Sequence, residues 1–170
     1  MARGYFGIGV EEISKPMNLG ALMRTTQAFG GSFFFTINST VSMKAARHAD
    51  TSGAQKNMPL YEFPSVEELL LPKGCALVGV ELLDEAADLP AFRHPHAAAY
   101  VLGRERGSLS PALLKRCAHV VKIPTRFCIN VGLAGALVMY DRTLSVGGYP
   151  ARPIMPGGNV PALAAVKAKK

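Results

Sequence analysis

An α/β fold with a mostly parallel sheet flanked by helices is predicted by three features of the sequence. Continuous apolar runs of strand length recur at 32–37 (SFFFTI), 75–82 (CALVGVEL) and 97–103 (AAAYVLG), the pattern of strands buried on both faces. Segments with helical periodicity and recognisable caps alternate with them. The length of 170 residues and the apolar content of 49% suit one ordinary domain with a full core. In sheets of this kind ligands bind outside the carboxyl ends of the strands.

Residues 5–10 read as a short strand ending in Glu11-Glu12. After the polar turn Ser14-Lys15-Pro16, Asn18 stands in N-cap position for a helix at 19–29. Leu19, Leu22, Met23, Thr26 and Phe29 form its apolar stripe, and Gly30-Gly31 stops it. The SFFFTI strand follows. Residues 42–59 are polar and irregular, with a short helix at 43–49, and Ser65 caps a helix through Leu71 that Pro72-Lys73-Gly74 ends. Beyond the strands at 75–82 and 97–103, Ser110 caps a helix at 111–117 with Pro111 at its first position. His119 to Ile123 is a short strand closed by Pro124. The last helix, 130–145, is capped by Asn130 and terminated by Gly147-Gly148. Residues 147–161 hold four Gly and four Pro and read as extended, which divides the chain into a domain over 1–148 and a flexible basic tail over 149–170.

Several classes are excluded. A charged content of 18% argues against disorder, and no run of about 18 apolar residues offers a membrane span. The N-terminus reaches Glu11-Glu12 before any long apolar stretch, so no secretory signal is expected. Three widely spaced cysteines (Cys75, Cys117, Cys128) fit a reducing, cytoplasmic setting better than a disulfide framework. His94 and His96 flank Pro95 without a third ligand, and no metal is expected.

The net charge is +7, and it is unevenly spread. Residues 61–90 are acidic, whereas Arg104, Arg106, Lys115, Arg116, Lys122 and Arg126 crowd 104–126, and Arg152, Lys167, Lys169 and Lys170 lie in the tail. Such a basic half suits a polyanion such as RNA as well as it suits a solvated face.

Three constellations could carry chemistry. In the first, Asn18 to Arg24, Gly20 and Arg24 share a helix face, so a guanidinium rises beside open backbone near a helix start. That suits a phosphate or ribose site, or simply a capping Asn with a surface Arg. In the second, Leu102 to Ser110, Gly103 and Gly107 let backbone approach a ligand, and Glu105 lies between two arginines. Neither this loop nor Gly7-Ile8-Gly9 matches a phosphate-loop or dinucleotide fingerprint. In the third, Ile123 to Asn130, the chain leads into Gly132, Gly135 and Ala136, a small-residue face for a cofactor, for another subunit or for tight internal packing. Cys128 by itself reads as an inert buried thiol.

In this order and at these separations, the constellations resemble the knotted SPOUT superfamily of RNA methyltransferases, in its TrmH-like branch of tRNA/rRNA 2′-O-ribose methyltransferases. Asn18 to Arg24 with Gly20 resembles the first motif, Gly103-x-Glu105 with Ser108-Leu109-Ser110 the second, and Pro124 with Cys128-Ile129-Asn130 the third. Ser52-Gly53-Ala54 resembles a further segment, and the likeness spans about 5–145. Ser108 stands where the second motif usually has Gly, Cys128 where the third has Ser, and the stretch 124–130 is shorter than usual.

The resemblance implies a SPOUT domain with a deep C-terminal trefoil knot. It implies an enzyme that uses S-adenosyl-L-methionine without metal. Arg24 would contact the target ribose and phosphate, with Asn18, Glu105 and Asn130 supporting it as catalytic residues. The cofactor would sit among Val78, Gly79, Val80, Leu102, Gly103, Ile123, Cys128, Asn130 and Leu133, held largely by backbone. Arg24, Arg104, Arg106 and Arg126 would grip RNA, transfer RNA ahead of ribosomal RNA, and a homodimer would form through the first and last helices. On the residues alone, three rival readings stay open. They are a non-catalytic RNA-binding module with a degenerate pocket, a base methyltransferase of the same fold, and a flavodoxin-type nucleotide-binding protein.

Overall fold

The computed structural model describes residues 4–42, 58–104, 107–147 and 149. The expected helix at 43–49, the Ser52-Gly53-Ala54 segment, Glu105, Arg106 and the tail cations lie outside the described residues. Among those described, seven strands form one sheet: β1 (Phe6–Glu11), β2 (Phe33–Ile37), β3 (Leu60–Phe63), β4 (Ala76–Val80), β5 (Ala87–Asp88), β6 (Ala98–Leu102) and β7 (His119–Lys122). Their order is β3-β2-β1-β6-β4-β7-β5, and every pairing is parallel. All seven carboxyl ends therefore open on one edge. Three α-helices are described, α1 (Pro16–Ala28), α2 (Pro111–Arg116) and α3 (Val131–Val146).

The buried runs behave as their composition demands. Strands β1, β2 and β6 are buried along their whole length. Along β1, Phe6, Ile8 and Val10 face α1 and α3, while the alternate positions Gly7 and Gly9 face the other way. The absent side chains make room for the neighbouring strand's rings. A Cβ at Gly7 would lie 2.3 Å from the ring of Phe33, and one at Gly9 2.2 Å from that of Phe35. The two glycines that match no nucleotide fingerprint are thus packing residues.

Some local expectations give way to stronger competitors. Helix α1 begins at Pro16, so Asn18 sits inside the first turn and is not the N-cap. The fixed φ of Pro16 already suits the first helical position. Residues 64–71 form no helix. The Arg116 guanidinium donates to the Val66 carbonyl and, at 2.8 Å, to the Leu69 carbonyl, which holds the segment as irregular turns. Strands β3 and β5 were not expected: β3 is half exposed and lacks a continuous apolar run, and β5 has two residues. The caps of α2 and α3 match the sequence reading. Ser110 accepts from the Leu113 amide at 3.2 Å, and Asn130 accepts from Gly132 at 2.9 Å.

Helix α3 lies against α1 through its small-residue face. A Cβ at Gly135 would lie 2.3 Å from Leu22 Cδ1, so this glycine serves internal packing. The far half of α3 is tied to β6 by a buried polar network. Arg142, only 3% exposed, donates to the carbonyls of Pro95 at 2.6 Å and His96 at 2.8 Å, and to Tyr100 Oη at 3.1 Å. Tyr100 Oη lies 2.6 Å from His94 Nδ1, and His94 Nε2 lies 2.9 Å from Asp141. One proton arrangement satisfies every contact. Arg142 donates to Tyr100, the Tyr100 hydroxyl donates to Nδ1, and Nε2–H donates to the Asp141 carboxylate. Burial holds the His94 pKa below the ordinary histidine value; Asp141 opposes that shift and Arg142 reinforces it.

Two measurements test this packing. Gly135→Ala should destabilise the protein by about 1–3 kcal/mol in urea unfolding, because fully buried Leu22 cannot swing aside. Leu22→Ala in the same chain should offset part of that loss. The lowered His94 pKa means that the unfolded chain takes up the proton first as pH falls, so stability is full above about pH 6.5 and declines below it. Replacing His94 by Gln should flatten that decline in urea midpoints measured at pH 5.5 and pH 7.5.

Candidate functional site

A cavity of about 370 Å³ opens beyond the carboxyl ends of β4, β6 and β7. Its floor is apolar: Val80 from β4, Leu102 from β6, and Ile123, Ile129, Val131 and Ala134 from the β7–α3 segment. Polar groups stand around it, namely Glu81, Arg104, Ser108, Thr125 and Cys128. Apolar walls with a few convergent polar groups are the usual make-up of a small-molecule site.

Each wall has a local cause. The segment after β7 turns sharply at Pro124, and the Thr125 amide donates to the Ile123 carbonyl at 2.7 Å. The Thr125 hydroxyl reaches the Phe127 carbonyl at 2.9 Å, which folds Cys128 and Ile129 back over the strand end. Asn130 then starts α3, and its Nδ2 donates to Asn18 Oδ1 at 3.2 Å. This bond joins the first and third constellations across 112 positions of sequence. On the opposite wall, Glu81 accepts from the Leu82 amide at 3.0 Å and from the Leu109 amide at 2.7 Å. Arg104 is held by Glu12 at 2.8 Å, and Asn38 donates to the same carboxylate at 3.2 Å. Glu12 has a φ of 53°, a left-handed conformation uncommon outside glycine, in the turn directly after β1.

The predicted residues distribute unevenly around this cavity. Val80, Leu102, Gly103, Ile123, Cys128 and Arg104 line it. Val78 and Gly79 do not. They lie within β4, where Val78 is core and Gly79 packs against Cys117 and Leu109. Leu133 points outward from α3, and its place at the cavity is taken by Val131 and Ala134. Asn130 caps α3 and does not line the cavity. Arg24 is exposed on α1, opposite the stripe that packs on the core, and makes no hydrogen bond or ion pair among the described residues. Arg126 is exposed as well and lies off the cavity. Thr125, Ile129 and Val131, inside the expected segment from Ile123 to Leu133, line it as well, whereas Glu81 and Ala134 were not anticipated. The signal for Glu81 was present in the sequence, as a charge closing the buried run CALVGVEL.

The three thiols are free and differ in setting. Cys128 is exposed at the cavity, contrary to the reading of it as buried. Burial pushes the Cys117 thiol up to about 11, and it also raises that of Cys75. At neutral pH a thiol reagent should therefore modify Cys128 first, and Cys128→Ser should abolish the fast phase. Faster labelling of Cys117 would contradict this arrangement.

Comparison with known proteins matches this geometry to one group. The model of the SpoU rRNA Methylase family matches residues 6–140. The tRNA (guanosine(18)-2′-O)-methyltransferase TARBP1 of Mus musculus is 33% identical over 140 residues, which are 77% of this chain and 9% of that protein. A tRNA (guanosine(18)-2′-O)-methyltransferase of Thermus thermophilus is 25% identical over 138 residues, 78% of this chain and 71% of its own length. The crystal structure of the SpoU methyltransferase AviRb from Streptomyces viridochromogenes, in complex with AdoMet, superposes with a TM-score of 0.74 at 19% identity. That superposition covers 83% of this chain and 57% of AviRb, and it shows the shared fold. With residues 6–140 of its 170 inside the matched span, this chain belongs to the SpoU rRNA methylase family.

Proposed function

We propose that this protein transfers a methyl group from S-adenosyl-L-methionine to a ribose 2′-hydroxyl of RNA, with transfer RNA as the substrate. The observation that carries this reading is the cavity at the strand ends, which Leu102, Gly103, Arg104, Gly107 and Ser108 line together with Ile123, Thr125, Cys128, Ile129 and Val131. The names of the mouse and Thermus relatives, and the AdoMet held by AviRb, support it.

The residues present fit the cofactor. The walls are apolar, as an adenosyl group requires, and Gly103 keeps the loop close. A Cβ there would lie 3.2 Å from the Leu109 amide nitrogen. When bound, the sulfonium supplies an electrophilic methyl group. Leu102, Gly103, Ile123 and Ile129 would enclose it and exclude water, and Cys128 would border the opening. Asn130 and Asn18 brace the two helix starts beside it.

Arg24 acts on the ribose oxygen by electrostatics. A guanidinium holds its proton and is a poor base. It stabilises the developing oxyanion and passes the hydroxyl proton to an RNA phosphate oxygen. Glu105, outside the described residues, supports the same group. Arg104, Arg106, Arg126 and the tail cations at 152–170 grip the phosphate backbone.

Because Arg24 does not line the cavity of its own chain, the reading draws on a homodimer through α1 and α3. The outward faces of these helices carry Met17 (75% exposed), Leu133 (62%), Leu137 (44%) and Tyr140 (48%), an apolar strip suited to a second copy. Docked there, each protomer's Arg24 would serve its partner's cavity. The trefoil threading and the cytoplasmic setting belong to the same proposal.

The test is incubation with isotopically labelled S-adenosylmethionine and either total tRNA or ribosomal RNA, followed by digestion and mass spectrometry. Label in a 2′-O-methylnucleoside of tRNA is expected. Label in a base-methylated nucleoside, or none, overturns the reading. Arg24→Ala should lower turnover by about two orders of magnitude or more while cofactor affinity changes little.

A further inference from the structure

Strand β6 lies between β1 and β4, and Leu109 and Ser110, which follow it, are gripped from both sides. Glu11 ends β1, is 5% exposed, and accepts the Ser110 amide at 2.7 Å. Glu81 follows β4 and accepts the Leu109 amide at 2.7 Å. Two successive amides of one loop are therefore held by carboxylates from the two strands that flank it. These contacts span 99 and 28 positions of sequence, so they are tertiary clamps and not turn bonds.

The clamped amides sit directly behind the cavity wall. The backbone of Gly103 packs against Leu109 and Ser108, and Leu109 is 2% exposed within the core cluster that holds Leu113. Moving the Leu109 amide therefore moves the surface against which Gly103 rests. Resting on the reading of the cavity as a cofactor pocket, we propose that Glu11 and Glu81 are positioning residues for S-adenosylmethionine. They fix the backbone at Leu109 and Ser110, so that Gly103, Gly107 and Ser108 form a ready-made wall.

The two carboxylates differ in a way that makes the proposal testable. Among the described residues, Glu11 uses one oxygen as acceptor, on Ser110. Glu81 uses both, one on Leu82 and one on Leu109. A glutamine keeps a single acceptor and turns its NH₂ group toward any second amide. Glu11→Gln should thus keep its clamp, Glu81→Gln should lose one of two bonds, and Glu11→Leu and Glu81→Leu should lose all.

The experiment is calorimetric titration of the full chain and these four variants with S-adenosylmethionine, alongside amide hydrogen exchange of the unliganded proteins. Glu11→Leu and Glu81→Leu should weaken binding about tenfold or more and speed exchange at Leu109 and Ser110. Glu11→Gln should restore most of the affinity, and Glu81→Gln should fall between. In turnover assays the loss should sit in KM for the cofactor more than in kcat. A general loss of stability would not follow the number of acceptors. Should a leucine variant fail to fold, the order of the two glutamine variants still decides, and equal affinity for both overturns the proposal. Unchanged affinity and exchange in all four variants overturns it as well. A wild-type protein that binds no S-adenosylmethionine while exchange still responds to the substitutions overturns the pocket reading, and with it the cofactor role of the clamp.

Discussion

The site depends on the placement of β6. This strand arrives late in the chain, yet it lies between β1 and β4 with parallel pairing on both sides. Parallel alignment sends the loop after β6 out on the same edge as the turns after β1, β4 and β7, which are the segments with chemistry in them. A ladder bond on each flank alone would leave that loop free to move. The carboxylates of Glu11, Glu12 and Glu81, all at or just past strand ends, tie it down through Ser110, Arg104 and Leu109.

At its midpoint, β6 is anchored through the core. Tyr100 is fully buried, and its hydroxyl joins Arg142 of α3 to His94 and, through it, to Asp141. A buried guanidinium without a neutralising carboxylate would be costly, and Arg142 is instead satisfied by main-chain carbonyls and by the ring of Phe6, 5.4 Å from its guanidinium carbon. Helix α3 is thus fastened twice. Its start is capped by Asn130 beside the cavity, and its later turns are locked to the strand whose loop forms the cavity wall. Rigid support on both sides is what a site needs if it is to bind without first paying to reorganise.

Much of this was legible in the sequence. The buried strands announced themselves as unbroken apolar runs, and Ser110, Pro111 and Asn130 marked helix starts that the structure retains. The misses share a physical origin. Leu60–Phe63 is half exposed and so lacks the apolar continuity of a central strand. The segment after Ser65 has a helical pattern, but Arg116, about fifty positions later, captures its carbonyls. The same holds at the site. Leu102, Gly103 and Ile123 could be placed from strand ends, whereas the use of Glu81 depends on the approach of Leu109, which no local pattern encodes. Arg24 was read as acting with Asn18, Glu105 and Asn130, but burial of Leu19, Leu22, Met23 and Thr26 turns it outward on α1.

The central claim is that the cavity beyond β4, β6 and β7 is where the methyl donor sits. Titration of ¹⁵N-labelled protein with S-adenosylmethionine, followed through amide chemical shifts, tests it most directly. The account predicts the largest changes at Glu81, Gly103, Ser108, Ile123 and Ile129, with the sheet face around Phe33 and Tyr61 unmoved. Changes centred on that distant face, or none at saturating cofactor, would contradict it.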